Sequence, residues 1–473
     1  MNRFHLIIRA AFASGVLLSV IPVAPAQADD EEIKALREQI AALDQKLRVL
    51  ERKQELREEE AAAAAKKQPV VSAGAGGFGI ASSDRSYDLR FRGLVQYDSR
   101  FFLDDGAPNR DGMLLRRVRT SFAGTVASIY DFNITPEYGT GTSSTTSLSL
   151  WDAYFAARFS PKFSVKFGKF APGVALEPGS NRHFNESPFP NQILSNRDLG
   201  VEAFGALGVF NYRVGAFLGV ANNTTSFGGS AADLLDGDRT FSARLTLDPF
   251  KGREGALSKL SLGLGGSRGN EIGTAGANIS NGLSNINSNA QQPIFSYGAA
   301  LRANGTHTRL SPSIEWYTGT PFSLVAEYAW ESQDISVNAA GLTHNFDNEA
   351  WRVSAAWVLT GEESARSGVS PKSTFNYAAG TWGAFELVGR LSGLELDGDL
   401  FIPVANGGAG INPANNVSSA FAVGLGLNWY FNRNFRLQFN AESTRYEGGK
   451  TPTAAVGARD DEQVFISRAQ LNF

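Results

Sequence analysis

The chain has 473 residues, of which 50 are glycine and 33 phenylalanine, with no cysteine and a formal net charge of -3. The lack of cysteine excludes disulfides and thiolate metal sites, and the near balance of charge gives no support to general nucleic-acid binding. A soluble chain of this length normally divides into several domains, whereas one large barrel keeps it as a single unit.

The N-terminal residues predict a signal peptide over residues 1–28. A basic stretch precedes the apolar run Ala10–Ile21, and an A-Q-A cleavage site ends at Ala28. A transmembrane anchor is the alternative, but the run is too short for a spanning helix and Pro22 follows it. No later segment is apolar for about 20 consecutive residues, so a membrane protein with this sequence would be a barrel.

Residues 29–66 predict an α-helical coiled coil. Apolar residues recur with the three-four spacing of an a/d seam, and charged residues fill the other positions. A single amphipathic helix lying on a partner surface is the alternative, and the seam does not decide how many strands the coil has. Residues 67–86, rich in Gly and Ser, predict a flexible linker. The seam residues are Ile33, Leu36, Ile40, Leu43, Leu47 and Leu50.

Residues 87–473 predict an all-β fold, a transmembrane antiparallel β-barrel. From Tyr87 onward the pattern has a period of two, and in Phe421–Tyr430 large apolar residues alternate with small or polar ones. A soluble β-sandwich also alternates, but it does not sustain strands this long with such polar second faces. Apolar residues outside and polar residues inside are typical of an outer-membrane barrel.

The connections between predicted strands alternate in length, which is typical of barrels with periplasmic turns and external loops. The strand count between these links is about 16, a size that leaves an aqueous channel. Two turns on the predicted periplasmic side, Asp248–Leu257 and Gly361–Thr381, are longer than the other turns on that side. The short links are Ser128–Tyr130, Ser160–Lys162, Leu207–Gly208, Thr318–Pro321 and Phe431–Asn434, and the long loops are Asp104–Gly112, Ala171–Leu199, Ala221–Gly237, Gly269–His307 and Asp397–Ser418.

The C-terminus predicts the same location. Phe465, Ala469, Leu471 and Phe473 lie on one face of the last predicted strand. A terminal Phe after alternating apolar residues looks like the signal that outer-membrane assembly machinery reads. We therefore predict a bacterial outer-membrane protein, surrounded by outer-membrane lipid, with the coiled coil in the periplasm.

The stretch Phe163–Gly200 begins as a clean alternating strand and then becomes a long loop rich in Pro, Gly and Asn. The loop carries Arg182, His183, Glu186 and Arg197. We predict that it folds into the mouth of the barrel and narrows it.

Strand parity assigns more arginines than acids to the polar face, which predicts a lumen more positive than the exterior. Guanidinium groups suit a pathway for oxyanions because they stay charged and offer planar donor pairs. The alternative is that each lumenal Arg merely pairs with a lumenal acid in the wall. Arg116 has the opposite parity to Arg117, which predicts a rim position. The candidate residues of the anion pathway are Arg117, Arg119, Lys166, Arg182, Arg197, Arg213 and Arg244.

Five short motifs follow one another over about Tyr87 to Phe473: Leu115–Arg119, Phe167–Phe170, Asn196–Gly200, Ala326–Tyr328 and Gly383–Glu386 with Arg390. In sequence, order and spacing they resemble the motifs of the phosphate-selective porin O and P family. The resemblance implies a sixteen-stranded trimeric porin with an inward-folded third loop and a passage lined by Arg and Lys for phosphate-like anions. The fifth loop departs from the family pattern, since Gly269–His307 lacks a dense basic cluster, and Glu177, Glu186 and Asp198 offset the cations of the third loop.

The predicted function is therefore an outer-membrane porin for passive diffusion of small solutes, favouring anions such as phosphate. One alternative is a structural tether or adhesin whose coiled coil contacts the cell wall. Another is a barrel lipid hydrolase, but His183, His307 and His344 show no nucleophile, base and orienting group together. The predicted partners are lipid, permeating anions and two further copies in a homotrimer, with no cofactor, no metal and no nucleic acid.

Overall fold

The computed structural model describes residues 30–65, 68–103, 111–139, 148–176, 183–194, 197–218, 239–273, 281–338, 341–449 and 459–473. The chain divides into two units, Met1–Gln68 and Pro69–Phe473. The signal peptide, Arg182, and most of the predicted loops Asp104–Gly112 and Ala221–Gly237 lie outside the described residues.

The first unit contains one helix, α1, which spans Asp30–Ala65. The six predicted seam residues are all exposed, from 41% for Ile33 to 66% for Leu43. A helix with such an apolar stripe is stabilised by packing the stripe against a partner, so the coiled coil stays a prediction. No described helix is both long enough and apolar enough to cross a membrane.

The second unit is mostly β-sheet, with one short helix, α2, at Pro190–Ile193. The strands are β1 (Val70–Gly74), β2 (Gly77–Ala81), β3 (Asp88–Phe102), β4 (Gly112–Val126), β5 (Tyr130–Glu137), β6 (Ser149–Ser160), β7 (Phe163–Phe170), β8 (Asp198–Leu207), β9 (Phe210–Phe217), β10 (Thr240–Leu247), β11 (Leu260–Ile272), β12 (Ile286–Asn287), β13 (Pro293–Phe295), β14 (Arg302–Tyr317), β15 (Phe322–Ser336), β16 (Thr343–Val358), β17 (Ala384–Glu395), β18 (Val417–Tyr430), β19 (Phe435–Gly448) and β20 (Glu462–Asn472).

Strands β3–β11 and β14–β20 form a closed antiparallel barrel. Each pairs with the next one along the chain, and β11 pairs with β14. The last strand returns to the first, because β20 pairs with β3 from Val464↔Phe102 to Asn472↔Leu94. Closure leaves no sheet edge facing lipid. The barrel has sixteen strands, which confirms the predicted number.

The segment predicted as a flexible linker contains a β-hairpin. β1 pairs with β2, and β2 pairs with β3 between Phe78↔Phe91 and Ala81↔Asp88. This part of β3 extends beyond the end of β20, so its backbone groups are free for β2. The hairpin turn needs glycine at Gly77, where φ is +97° and a Cβ would lie 2.2 Å from the Phe91 carbonyl oxygen. The flexible-linker prediction is wrong for residues 70–81.

The barrel shows the predicted alternation of short and long connections between strands. The short links at 127–129, 161–162, 208–209, 318–321 and 431–434 join β4–β5, β6–β7, β8–β9, β14–β15 and β18–β19. We define loop 3 as residues 171–197, which contain α2, and loop 5 as residues 273–301, which contain β12 and β13. Both belong to the long side of the barrel.

Side chains alternate between the lumen and the outer wall. In β18 the outward Phe421, Val423 and Leu425 are 41–60% exposed, while the inward Ala422 is buried. Apolar side chains from loops 3 and 5 are also buried, and they pack inside the barrel against wall residues of β15–β18. This internal core includes Val174, Phe189, Ile193, Leu194, Ile286, Ile294, Phe295, Ala329, Ala350, Leu394 and Ala420. The two loops therefore fill part of the lumen.

Candidate functional site

Loop 3 leaves β7 and runs along the inner wall of β9–β15. Arg213 donates through Nη2 to the Ala171 carbonyl at 2.7 Å, and Arg244 donates through Nη1 to the Val174 carbonyl at 3.2 Å. A Cβ at Gly265 would lie only 2.2 Å from that Val174 oxygen, so glycine allows the loop to approach the wall. These contacts confirm that the first described part of loop 3 folds inward.

The second described part of loop 3 is held by polar side chains on β17–β20. Each of these bonds satisfies a backbone group or side chain that the loop would otherwise leave unpaired inside the barrel. The bonds run from Asn428 Nδ2 to the His183 carbonyl (3.1 Å), from the Asn185 N–H to Asn440 Oδ1 (2.7 Å), from Arg390 Nη1 to the Glu186 carbonyl (2.7 Å), from the Phe189 N–H to Ser392 Oγ (3.2 Å), and from Arg468 Nη1 to the Asn185 carbonyl.

Glu186 lies at the centre of four arginines. Its carboxylate accepts from Arg100 Nη2 at 2.5 Å, from Arg116 Nε at 2.6 Å and from Arg468 Nη2 at 3.1 Å, while Arg117 Nη2 is 3.8 Å away. Glu186 lies on the loop, outside the spanning strands. Burial by itself opposes ionisation, but the charges of the four arginines outweigh burial and hold the pKa of Glu186 well below its usual range.

The rim position predicted for Arg116 is wrong. Gln96 on β3 pairs with Arg117, whereas Tyr97 pairs with Leu115, so Arg116 is the extra residue of a β-bulge. The bulge turns two consecutive arginines to the lumen, which strict alternation does not allow. Arg117 is buried as well, and it donates to Gln96 Oε1 at 2.9 Å.

Arg119 and Arg197 meet at one tryptophan. Their guanidinium carbons lie 3.6 and 3.7 Å from the ring centroid of Trp151. Arg119 also forms an ion pair with Glu137, and Arg197 donates to Asp152 Oδ1 at 3.1 Å. The structure thus joins a residue of β4 to a residue of loop 3 through a stacked aromatic ring.

Lys166 and Arg213 share one buried carboxylate. Lys166 Nζ lies 3.5 Å from Glu202 Oε1, and Arg213 Nε donates to the same oxygen at 2.9 Å. Lys166 is also 4.6 Å from the ring centroid of Phe170. Both predicted pathway residues lie in the lumen, but Glu202 offsets part of their charge.

Arg244 is buried and differs from the other predicted pathway residues. Besides the Val174 carbonyl it donates to Ser313 Oγ at 2.7 Å. Among the described residues no carboxylate lies within ion-pair distance of it. The carboxylates of Glu327 and Glu315 act on its charge from beyond that distance.

Buried charge in the described residues is not predominantly positive, so the predicted excess of arginine inside is wrong for the buried set. Twelve buried side chains in the described part of the chain are acids and eight are Lys or Arg. The buried basic residues are Arg100, Arg117, Lys169, Arg244, Arg309, Arg352, Arg390 and Arg468, and the buried acids are Asp98, Glu186, Asp198, Glu202, Glu271, Glu315, Glu327, Glu331, Glu362, Glu386, Glu442 and Glu462.

A cavity of about 530 Å³ lies against the wall formed by β3–β6. This wall is opposite in strand order to β15–β18, where the loop core packs. Arg92 is exposed, and the backbone carbonyl of Gly76 is its hydrogen-bond acceptor at 3.2 Å. The charged residues that line the cavity are Arg90, Arg92, Arg119, Arg158, Asp131 and Asp152. The cations exceed the acids in this lining, in contrast to the buried set.

The model of the phosphate-selective porin O and P family matches residues 89–473. The chain belongs to this family. Comparison with curated proteins finds no match to the sequence. The family and the closed barrel identify the chain as a porin of the bacterial outer membrane.

Solved structures share the fold of this porin at low sequence identity. The outer-membrane channel DcaP of Acinetobacter baumannii has a TM-score of 0.52 and 12% identity, covering 82% of this chain and 97% of its own. An anion-selective porin from Comamonas acidovorans has a TM-score of 0.50 and 10% identity, covering 82% of this chain and 100% of its own. A loop-deletion mutant of OmpT from Vibrio cholerae has the same TM-score, identity and coverage. These likenesses concern the fold.

Sequence reasoning missed a buried polar cluster in the lumen of the porin, which consists of one histidine, two glutamates and one arginine. His307 Nε2 lies 2.7 Å from Glu331 Oε1, and its Nδ1 lies 2.8 Å from Glu271 Oε2. Arg309 is within 3.6 Å of both glutamates and donates through Nε to the Ile193 carbonyl of α2 at 3.2 Å. In the described structure His307 is buried on the lumenal side of the wall, with no contact to the outer face of the barrel. In the described residues no group of His, Cys, Asp or Glu is arranged to hold a metal ion.

Proposed function

We propose that this porin forms a water-filled channel for passive diffusion of small solutes and favours anions, phosphate among them. The observation that carries the proposal is the lining of the β3–β6 cavity, which contains Arg90, Arg92, Arg119 and Arg158 but only the acids Asp131 and Asp152. Arg90, Arg119 and Arg158 each form an ion pair, and Arg90, Arg92 and Arg158 are exposed to the water of the cavity. Guanidinium groups that reach water act on a passing ion, whereas deeply paired charges largely cancel each other.

The preference for anions is weak and not specific for phosphate. Phosphate selectivity would need several free donors converging on one point. In the described lumen the densest arginine cluster already surrounds Glu186, and Arg119 and Arg197 each have an acid partner. We infer a general preference by sign of charge.

We also propose that the anion pathway passes Arg119, Lys166, Arg197 and Arg213, and that Arg117 and Arg244 mainly hold loop 3. Arg213 and Arg244 both donate to backbone carbonyls of loop 3, which supports a role in holding the loop for some of the predicted pathway residues. Arg182 lies outside the described residues, so its place in the pathway stays a prediction.

The proposal is tested by uptake of solutes of matched size into proteoliposomes. A small monocarboxylate should enter faster than a cationic amine of similar mass, with a neutral sugar alcohol between them. The double variant Arg92→Gln with Arg119→Gln should reduce the difference about twofold or more, because it removes two lining charges. Arg253→Gln is the matched control, since Arg253 is an exposed cation on a periplasmic turn outside the cavity. Equal uptake of anion and cation by the wild-type protein would refute the proposal.

We further propose that three copies assemble in the membrane, with α1 helices joined as a coiled coil in the periplasm. The exposed apolar seam of α1 supports an assembly through this helix. The same coil is the part of the chain that would reach the cell wall.

A further inference from the structure

The contacts of Glu186 have the geometry of a bound oxyanion. One carboxylate oxygen receives Arg100, Arg116 and Arg468, and the other receives Arg116 Nη2 at 3.0 Å. Several guanidinium groups converging on two oxygens is the way proteins hold phosphate, sulfate and carboxylate ligands. Here the ligand is a side chain of the protein itself.

We propose that the four arginines around Glu186 form an oxyanion-binding site that loop 3 keeps occupied with its own carboxylate. The site takes phosphate or a carboxylate when Glu186 is removed. The physiological meaning of this inference rests on the proposed function. In a channel that anions cross, arginines already bound to Glu186 cannot retain passing anions.

The charge balance of the cluster favours an anion at this point. Within the described residues the carboxylates in ion-pair contact with the four arginines are those of Glu186 and Asp98. Asp98 is shared by Arg468, at 2.6 and 2.7 Å, and by Arg100 at 3.1 Å. Four guanidinium groups therefore face two carboxylates in a buried space. Loss of one carboxylate leaves an excess of buried positive charge, which is costly unless another anion replaces it.

Most of the site is held by bonds that do not involve the Glu186 side chain. Arg390 holds the Glu186 carbonyl, and Arg468 holds the Asn185 carbonyl, so both bonds involve the backbone of the loop. Arg117 is fixed by Gln96, and Arg100 donates through Nη1 to the Ala290 carbonyl of loop 5 at 2.7 Å. Arg116 is also within 3.5 Å of Gln291 Oε1 but otherwise bonds to Glu186 itself. Shortening residue 186 to alanine thus empties the centre of the cluster, while Arg100, Arg117 and Arg468 keep their other bonds.

The first experiment measures heat denaturation of purified full-length protein in detergent, with and without inorganic phosphate. Glu186→Ala should gain about 2 °C or more in melting temperature with millimolar phosphate, because a ligand that binds only the folded state stabilises it. The wild-type protein should gain nothing comparable. Glu442→Ala is the matched control, since Glu442 is also a buried lumenal carboxylate but accepts from one arginine, Arg390, at 2.6 Å. It should behave like the wild type.

A second variant keeps the test decisive if the alanine variant does not fold. Glu186→Gln removes the charge with little change in volume, and it should show the same gain with phosphate to a smaller extent. No gain in either variant, or an equal gain in Glu442→Ala, would overturn the inference. This readout does not depend on channel activity, so it separates failure of the site from failure of the proposed function.

Channel recordings give the functional consequence. Phosphate added to chloride solutions should reduce the chloride current through Glu186→Ala about twofold or more, because a bound oxyanion occupies the wall near the pathway. The current of the wild-type protein should change less. Phosphate binding without any effect on current would keep the site but remove its role in permeation.

Discussion

Individual charged residues in this lumen owe their behaviour to their partners and not to their sequence position. Arg117 and Arg244 have the same predicted role, yet one lies near Glu186 and the other donates to a backbone carbonyl and a serine. Pairing in a low-dielectric interior largely cancels charge, so a count of arginines overestimates the field that a solute meets.

His307 offers a prediction at this scale. A carboxylate lies beside each ring nitrogen, an arrangement that suits an imidazolium because both its nitrogens carry hydrogen. His307→Leu should destabilise the barrel by about 3 kcal/mol, since it leaves Glu271 and Glu331 buried with one partner fewer. Urea unfolding in detergent measures the change. His344→Leu is the control, because His344 has no carboxylate partner in the described structure, and equal destabilisation by both would refute the assigned role.

At the scale of elements, the strands were predictable from sequence and the loop contacts were not. Lipid outside and water inside impose a period of two on every strand, so their number and the short links could be predicted. Inward folding of loop 3 was predicted from its own sequence and is also implied by the resemblance. Its partners depend on which strands closure brings together, as for Arg390 and Glu186, which are separated by 204 residues. The bulge at Arg116 was not predicted, because strict alternation was applied through the adjacent arginines, whereas an extra residue shifts the phase of the alternation by one.

Gly265 tests whether the wall holds loop 3 in place. Gly265→Leu should displace Val174, because its Cβ would lie 2.2 Å from the Val174 oxygen, at a cost of about 1–3 kcal/mol. The displaced loop should change single-channel conductance and raise current noise. Gly389→Leu is the control, since a Cβ at Gly389 meets nothing within 4 Å. Unchanged currents in Gly265→Leu would show that the loop contact at this point does not shape the channel.

The helix α1 allows a clean test of the predicted coiled coil, because the chain has no cysteine of its own. Leu43→Cys, on the seam, should give a disulfide-linked dimer on mild oxidation, since facing seam positions lie within disulfide reach. Gln45→Cys, outside the seam, should cross-link far less. Non-reducing electrophoresis of the full-length protein reads the result. Equal cross-linking at the two positions would contradict the coiled coil.

The whole molecule combines a closed sixteen-stranded wall with two inward loops that fill one side of the lumen. The remaining cavity on the β3–β6 side has more cations than acids in its lining. The sequence alone assigned positive charge to the entire lumen, because parity shows which face a residue takes but not whether its charge is paired. Selectivity is therefore expected to come from a small set of residues that reach water.

The most direct test is the reversal potential of the wild-type protein in a planar bilayer that separates two concentrations of potassium chloride. A net positive lining should make chloride more permeant than potassium, and the sign of the reversal potential reports which ion dominates. We expect a modest chloride preference that weakens at high salt, because screening shortens the reach of the lining charges. A reversal potential with the sign of potassium selectivity would contradict the assignment of an anion-favouring channel.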